Sequence, residues 1–389
     1  MQGTADHERQ SATPTERIVP LDRARTFITF SVVLYHSAIN YTYFGIGGDR
    51  MRWLGFDLVV LFNDSYFMAC MFFISGLFVY DSLARRGAAD FLKMRAFRLG
   101  IPLLVSLLVV MPIAYYRYYL TVFDFPEFWR HMVMVGPWPS GSAWFLWVLL
   151  AFDAAAVLVW RAAPEAIATF ARRASALSDH PIAAFAAFLS FSALIYLPPR
   201  IAFGDATWFM PGHYPFPIQE SRVLLYAGYF FAGVAVGATD LRNGLLAEKG
   251  EIARRWWVWA FFALIFYGAI LFFVYVHHNW IADFRSPPLW WHTAYALFFA
   301  LFCASMTLTV PAAFLCFARV PFRLLDAMQP SAYGIYLLHF VPLIWLQYLV
   351  YDPAFPAFVK FAIVFAGTLS ASWAMTILLR RIPVVARMI

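Results

Sequence analysis

Five side chains, Arg25, His36, Arg95, Arg98 and His339, are of types that move protons or grip phosphate, yet stand in or beside apolar runs. Ionisable groups are costly there, so each needs a reason to be present. Arg25 and His36 are eleven residues apart, about three helical turns plus 20°, which places them on one stripe of a helix roughly 16 Å apart. Thr29, Asn40 and Tyr43 continue that stripe at helical spacing and predict a polar line running past the bilayer midplane. The imidazole is read either as a proton-transfer group or as a neutral hydrogen-bonding link between helices. Arg95 and Arg98 in KMRAFRLGIP are three residues apart, on one face of a regular helix. Paired guanidinium forks suit phosphate or pyrophosphate, and a basic pair at a span's edge also serves as an orientation anchor. His339 in SAYGIYLLHFVP lies eight residues beyond Ser331, about 12 Å into its span, with Tyr336 one turn earlier. Two deep histidines approached from one side predict a shared cavity, against the alternative that His339 only packs helices.

The elements that position these groups follow from composition. Of the 389 residues, 62% are hydrophobic, 20% aromatic and 13% charged. A soluble domain carries roughly 25% charge, so the bias predicts many apolar spans. Backbone groups in lipid must be satisfied within their own segment, which makes those spans helices and the fold all-α and polytopic. Apolar windows fall near 24–43, 61–81, 99–116, 143–160, 181–198, 221–239, 256–276, 290–314, 331–350 and 357–379. These are about ten transmembrane helices in a single domain over 21–389. Residues 1–20 are polar, lack the features of a signal peptide and are expected to form a disordered cytoplasmic tail.

Charge sets the orientation. With the N-terminus cytoplasmic, 21 of the 29 Lys and Arg residues fall on cytoplasmic segments. That bias predicts both termini inside. The net charge of +7 is therefore a matter of topology and implies no nucleic acid. The outer loops are rich in Pro, Trp, Tyr and Asp. Their aromatics read mainly as interfacial belt and packing, with sugar-ring stacking as the functional alternative. Asn63 and Asp64 are expected to open the second span from outside, either solvated or bonded to sugar hydroxyls. Cys70, Cys303 and Cys316 have no metal-ligand spacing, so no metal and no disulfide is predicted. The chain has no GxSxG, HExxH, Walker or GxGxxG pattern.

Four segments in order resemble the acyltransferase-3 family: LDRARTFITFSVVLYH, FFISGLFVYDSLARRGAADFLKMRAFRLGIP, SAWFLWVLL and SAYGIYLLH. The resemblance runs from Leu21 to about Pro383. LFND, RLGIP and RIPVV look most like the branch that succinylates periplasmic glucans. Many relatives carry a His two residues before the Trp of the third segment; here Ser142 stands there, before Ala143 and Trp144. The resemblance implies a multi-pass protein of the bacterial inner membrane. It would move an acyl group, acetyl or succinyl, from cytoplasmic acyl-CoA to a hydroxyl of an extracytoplasmic glycan. Acyl-CoA is then a co-substrate, no cofactor is held permanently, the lipid bilayer is a partner, and a homodimer is a possible assembly. Arg25, Arg95 and Arg98 would grip the CoA. His36 would be the base or a transiently acylated nucleophile, with His339 its catalytic partner. Asn40, Tyr43, Asp64, Trp144 and Tyr336 would contact the acceptor. The rival reading is a transporter or flippase for a sugar or lipid-linked glycan, with the two histidines on its path. An internal repeat would favour it, and none is visible.

Overall fold

A computed structural model of the protein describes residues 18–45, 48–205, 207–210, 212–281, 286–352 and 354–389. Most of the expected tail, residues 1–17, lies outside them. The principal helices are α1 (Val19–Ala38), α2 (Leu54–Asp64), α3 (Phe67–Gly76), α4 (Val79–Tyr119), α5 (Phe125–Met134), α6 (Trp144–Ala162) and α7 (Pro164–Ala176). They continue as α8 (Pro181–Phe203), α9 (Val223–Gly237), α10 (Trp256–Trp280), α11 (Leu289–Cys316), α12 (Arg323–Leu338), α13 (Phe340–Leu349) and α14 (Ala357–Leu379). A two-residue antiparallel hairpin pairs Trp208–Phe209 with Ile218–Gln219, and the rest of the regular structure is helical. The fold is therefore nearly all-α.

Seven helices among the described residues are long and apolar enough to cross a membrane, or eight if α12 and α13 count as one span bent by 65°. Each expected apolar window falls on a helix. The first begins earlier than expected, at Val19, and its charged first turns keep α1 outside that set; α9, with 15 residues, is too short for it. The second span also begins earlier, at Leu54, so Asn63 and Asp64 lie ten residues inside it and not at its mouth.

α1 and α11 form the centre. α1 packs against α2, α3, α11, α12 and α14. The apolar stretch of α11 is 72% buried, against 17% for α10, so α10 faces outward where lipid would lie. Two local devices shape this interior. Pro102 and Pro112 lie within α4, beside wide π-helical turns at Ala96–Gly100 and Ser106–Val110. A proline has no N–H to return to the carbonyl four residues earlier. The orphaned carbonyls are those of Arg98 and Leu108; the Tyr333 hydroxyl donates to the first at 2.8 Å and the Trp129 indole to the second at 2.8 Å. At the start of α1, Arg23 grips Asp326 through two nitrogens, at 2.6 and 3.0 Å, and also donates to the carbonyls of Ala318 and Val320. The first helix is thereby clamped to the turn after α11.

α3 and α9 cross at glycines. A Cβ on Gly233 would collide with the Phe73 carbonyl, and one on Gly76 with the Phe230 carbonyl. Gly268 on α10 has open space instead. Gly233→Ala is therefore expected to lower stability by about 1–3 kcal/mol through overpacking against backbone that cannot yield. Gly268→Ala should be neutral or slightly stabilising. Thermal unfolding of the two variants in one detergent separates these outcomes.

Candidate active site

Two helix ends meet at the centre of the site. His36 lies in the last turn of α1, and His339 is the single residue between α12 and α13, where the chain bends. His339 Nδ1 is 2.7 Å from the Tyr336 carbonyl, and its Nε2 is 3.2 Å from His36 Nδ1. A carbonyl only accepts, so His339 Nδ1 carries a proton. In the neutral ring Nε2 then accepts, which makes His36 Nδ1 the donor. The chain of bonds therefore assigns both tautomers and leaves His36 Nε2 as a lone pair with no side-chain partner among the described residues, while the Val32 carbonyl lies within reach of the ring. His339 is fully buried, whereas His36 keeps some accessible surface. The Phe340 ring stands edge-on to both imidazoles, with centroids 4.9 Å from each, and Gln347 donates to the His36 carbonyl at 3.2 Å. Phe340 and Gln347 hold the His36 ring and backbone in place.

Tyr336 stands one turn before His339 and is tied to the chain that leads into α6. Its hydroxyl donates to the Ser142 carbonyl at 2.6 Å, and the Ser142 hydroxyl reaches back to the Tyr336 carbonyl at 3.4 Å. Both residues are buried, so Tyr336 docks the start of α6 against α12 beside the histidines. Trp144, two residues on, faces Tyr226 with ring centroids 5.6 Å apart.

The arginines gather at the other end of α1. Arg25 is well exposed and pairs loosely with Asp22 at 3.7 Å. Arg95 is mostly buried and reaches Asp153 on α6, with Nε to Oδ2 at 3.0 Å; Asp153 is 0% exposed. Arg98 is exposed. All three guanidinium groups lie within electrostatic reach of the Tyr333 hydroxyl. The expectation that Arg95 and Arg98 share one face of a regular helix is corrected. Arg95 ends the α-helical part and Arg98 lies in the π turn, so Arg95 turns inward to Asp153 and Arg98 outward. They converge with Arg25 through tertiary packing and not through helical spacing.

The polar stripe on α1 is also shorter than expected. The α-helix ends at Ala38, a single 3₁₀ turn covers Ile39–Tyr41, and Thr42 is extended. Asn40 and Tyr43 therefore leave the stripe: Tyr43 is exposed, and its backbone N–H donates to Asp57 at 2.9 Å. Thr29 remains on α1 and is buried, donating to the Arg25 carbonyl at 3.1 Å. Asp64 is held by Arg222, which donates to Oδ2 at 2.5 Å and to the Asp64 carbonyl at 3.1 Å. That carbonyl is free because the helix breaks between α2 and α3.

Sequence reasoning missed Asp153, Tyr333 and Arg222. Asp153 is the lone acid in WFLWVLLAFDAAAVLVW, and an unpaired acid in an apolar run calls for a buried cation. Tyr333 lies inside the SAYGIYLLH segment already singled out. Arg222 opens an apolar run, and nothing local distinguishes it from an outer-loop cation.

The chain matches the acyltransferase domain family Acyl_transf_3 over residues 18–377, nearly its whole length. It belongs to that family, a class of membrane acyltransferases. No curated protein matches it.

The Arg95–Asp153 pair is mostly withdrawn from water, so removing one partner strands the other. Asp153→Ala is expected to destabilise the protein by about 3 kcal/mol. Adding Arg95→Met should return most of that loss, since replacing both charges by apolar groups is close to neutral. Thermal unfolding of the single and double variants measures the difference.

Proposed function

We propose that the protein transfers an acyl group, acetyl or succinyl, from cytoplasmic acyl-CoA to a hydroxyl of an extracytoplasmic glucan or other glycan. The observation that carries this reading is the hydrogen bond from His36 to His339, which leaves the second nitrogen of a partly accessible His36 able to take a proton at the end of α1, with three arginines at its other end. Arg25, Arg95 and Arg98 hold the phosphates of CoA, and the pantetheine arm carries the thioester toward His36. In the reaction, His36 Nε2 takes the proton from the acceptor hydroxyl as its oxygen bonds to the thioester carbonyl carbon. The C–S bond then breaks, and the departing thiolate takes that proton, which restores neutral His36. His339 Nε2 accepts from His36 Nδ1 throughout, so it steadies the imidazolium while it exists. A carboxylate in that position would add a permanent charge deep in the membrane, and a neutral imidazole backed by a carbonyl avoids it.

Within the family we place the chain in the branch that succinylates periplasmic glucans, on LFND, RLGIP and RIPVV. The proposed topology has ten spans with both termini cytoplasmic, in a bacterial inner membrane. α1 and α9 complete the count. Three of the eight outer cations, Arg200, Arg222 and Lys360, pair internally with Asp205, Asp64 and Asp49. An internally paired cation contributes little to orientation, so the basic bias toward the cytoplasm is stronger than the raw count of charges.

Two experiments test these statements. Reporter fusions at Arg130 and Met210 are expected outside the cytoplasm, and a cytoplasmic result at either overturns the topology. His36→Ala should cut transfer by about 10²–10⁴-fold, the usual worth of a positioned proton-transfer group. His339→Ala should cut it less, and His339→Gln should recover part of the loss because its amide oxygen can still accept from His36 Nδ1. Losses in the double Ala variant should fall short of the product of the single losses, since residues acting as a unit are non-additive. Steady-state assays with acyl-CoA and a glycan acceptor give these ratios, and independent, multiplicative losses would dissolve the pairing.

A further inference from the structure

Asp64 is placed where a carboxylate is hardest to keep. It lies ten residues into the span Leu54–Gly76, at the break between α2 and α3. Arg222, which is only 7% exposed, binds its Oδ2 and its backbone carbonyl with two nitrogens. The guanidinium face lies on Phe299, 5.1 Å from the ring centroid, so this arginine is committed on both its face and one edge. Asp64 Oδ1 has no partner among the described residues, yet the Asp64 side chain keeps 31% of its surface accessible. The groups within its electrostatic reach, Tyr35, Tyr226, Tyr295 and Cys303, come from three helices, α1, α9 and α11. Asp64 therefore stands among groups of the bundle interior.

Tyr35 joins this group to the histidines. Its ring stands edge-on to His36 with centroids 5.1 Å apart, and its hydroxyl lies within reach of Asp64, Arg222 and Tyr226. It has no hydrogen-bond partner among the described residues, and like His36 it keeps some accessible surface deep in the bundle. Tyr226, also within reach of the Tyr35 hydroxyl, pairs its ring with that of Trp144. A proton-accepting imidazole, a phenol and a clamped carboxylate thus follow one another, from His36 through Tyr35 to Asp64.

We infer that Asp64, clamped by Arg222, and Tyr35 form the acceptor subsite, and that they select a neutral sugar bearing a free hydroxyl beside the one that is acylated. The inference rests on the acyltransferase reading above and deepens it. An ion pair of net zero charge offers a ligand no electrostatic attraction, so recognition falls to hydrogen bonds. Asp64 Oδ1 can only accept, and it therefore requires a donor from the ligand. Tyr35 can donate or accept. A hydroxyl satisfies both groups at once, whereas a carboxylate or phosphate on the sugar would meet Asp64 with like charge and no proton to give. Arg222 is a positioning residue: it holds the carboxylate in one orientation and its face is covered.

The test uses the full-length protein in detergent, an acyl-CoA and two probes, a neutral glucose oligosaccharide and a glucuronate-containing one of the same length. Wild type should acylate the neutral probe far better than the acidic one. Tyr35→Phe, which keeps the ring packing, should raise KM for the neutral probe about tenfold, and Asp64→Asn by about tenfold to a hundredfold, as expected for a lost hydrogen bond to a charged group. Because Asp64→Asn strands Arg222, it is paired with Asp64→Asn/Arg222→Gln; that double variant should lose the preference against the acidic probe. An unchanged KM in Tyr35→Phe together with unchanged selectivity in the double variant overturns the subsite and leaves the glycan-acyltransferase reading standing. Equal use of both probes by wild type does the same. If wild type acylates neither probe while hydrolysing acyl-CoA, the glycan reading fails and this inference with it.

Discussion

In a hydrocarbon surrounding, a polar group has no partner except one supplied by the chain itself, and this constraint organises the whole molecule. Arg23 finds Asp326, Arg95 finds Asp153, Arg222 finds Asp64, and Lys360 holds both oxygens of Asp49 at 3.0 and 2.9 Å. Each pair ties together segments far apart in sequence. The same requirement reaches the backbone, where carbonyls orphaned by Pro102 and Pro112 draw in Tyr333 and Trp129 from other elements. Lipid tails contact apolar side chains about as well as other helices do, so apolar packing alone selects few neighbours. These directional bonds instead determine which helices meet and in what register.

The histidine pair shows the same constraint at the candidate site. A soluble enzyme would commonly orient its histidine with a carboxylate. Here a second imidazole takes that position, itself oriented by the Tyr336 carbonyl, and the array is uncharged at rest. The bend at His339 makes this geometry available. An unbroken helix would direct the residue 339 side chain along its own surface, whereas the 65° break lets it project toward the end of α1. The hydrogen bonds between Tyr336 and Ser142 then fix the broken helix against α6.

Arg23 and Arg25 illustrate how two neighbours of one type come to differ. Arg23 is buried and spends its donors on Asp326 and two carbonyls, so it is structural. Arg25, two residues on, points to the exposed side, where Arg98 and Arg95 also converge on Tyr333. Asp153 reaches one member of that trio at Nε. The result is a cationic group with one mostly buried and two exposed members.

The sequence by itself determined the helical, membrane-embedded class, the position of each apolar segment and the family. All three depend on local or additive properties: apolar length, residue type and short ordered motifs. It also singled out His36 and His339, because an ionisable residue in an apolar run stands out without any knowledge of its neighbours. What it could not determine was pairing. Helical spacing put Asn40 and Tyr43 on the stripe of α1, but the helix ends at Ala38, where the chain turns to bring Asp49 under Lys360. The same spacing gave Arg95 and Arg98 one face, and the π turn beside Pro102 separated them. Arg222 looked like a loop cation until Asp64 came to meet it across a gap of 158 residues. Partners so distant leave no trace in local pattern. Only the packed helices, each seeking bonds that the surroundings cannot supply, decided which charges would be neighbours.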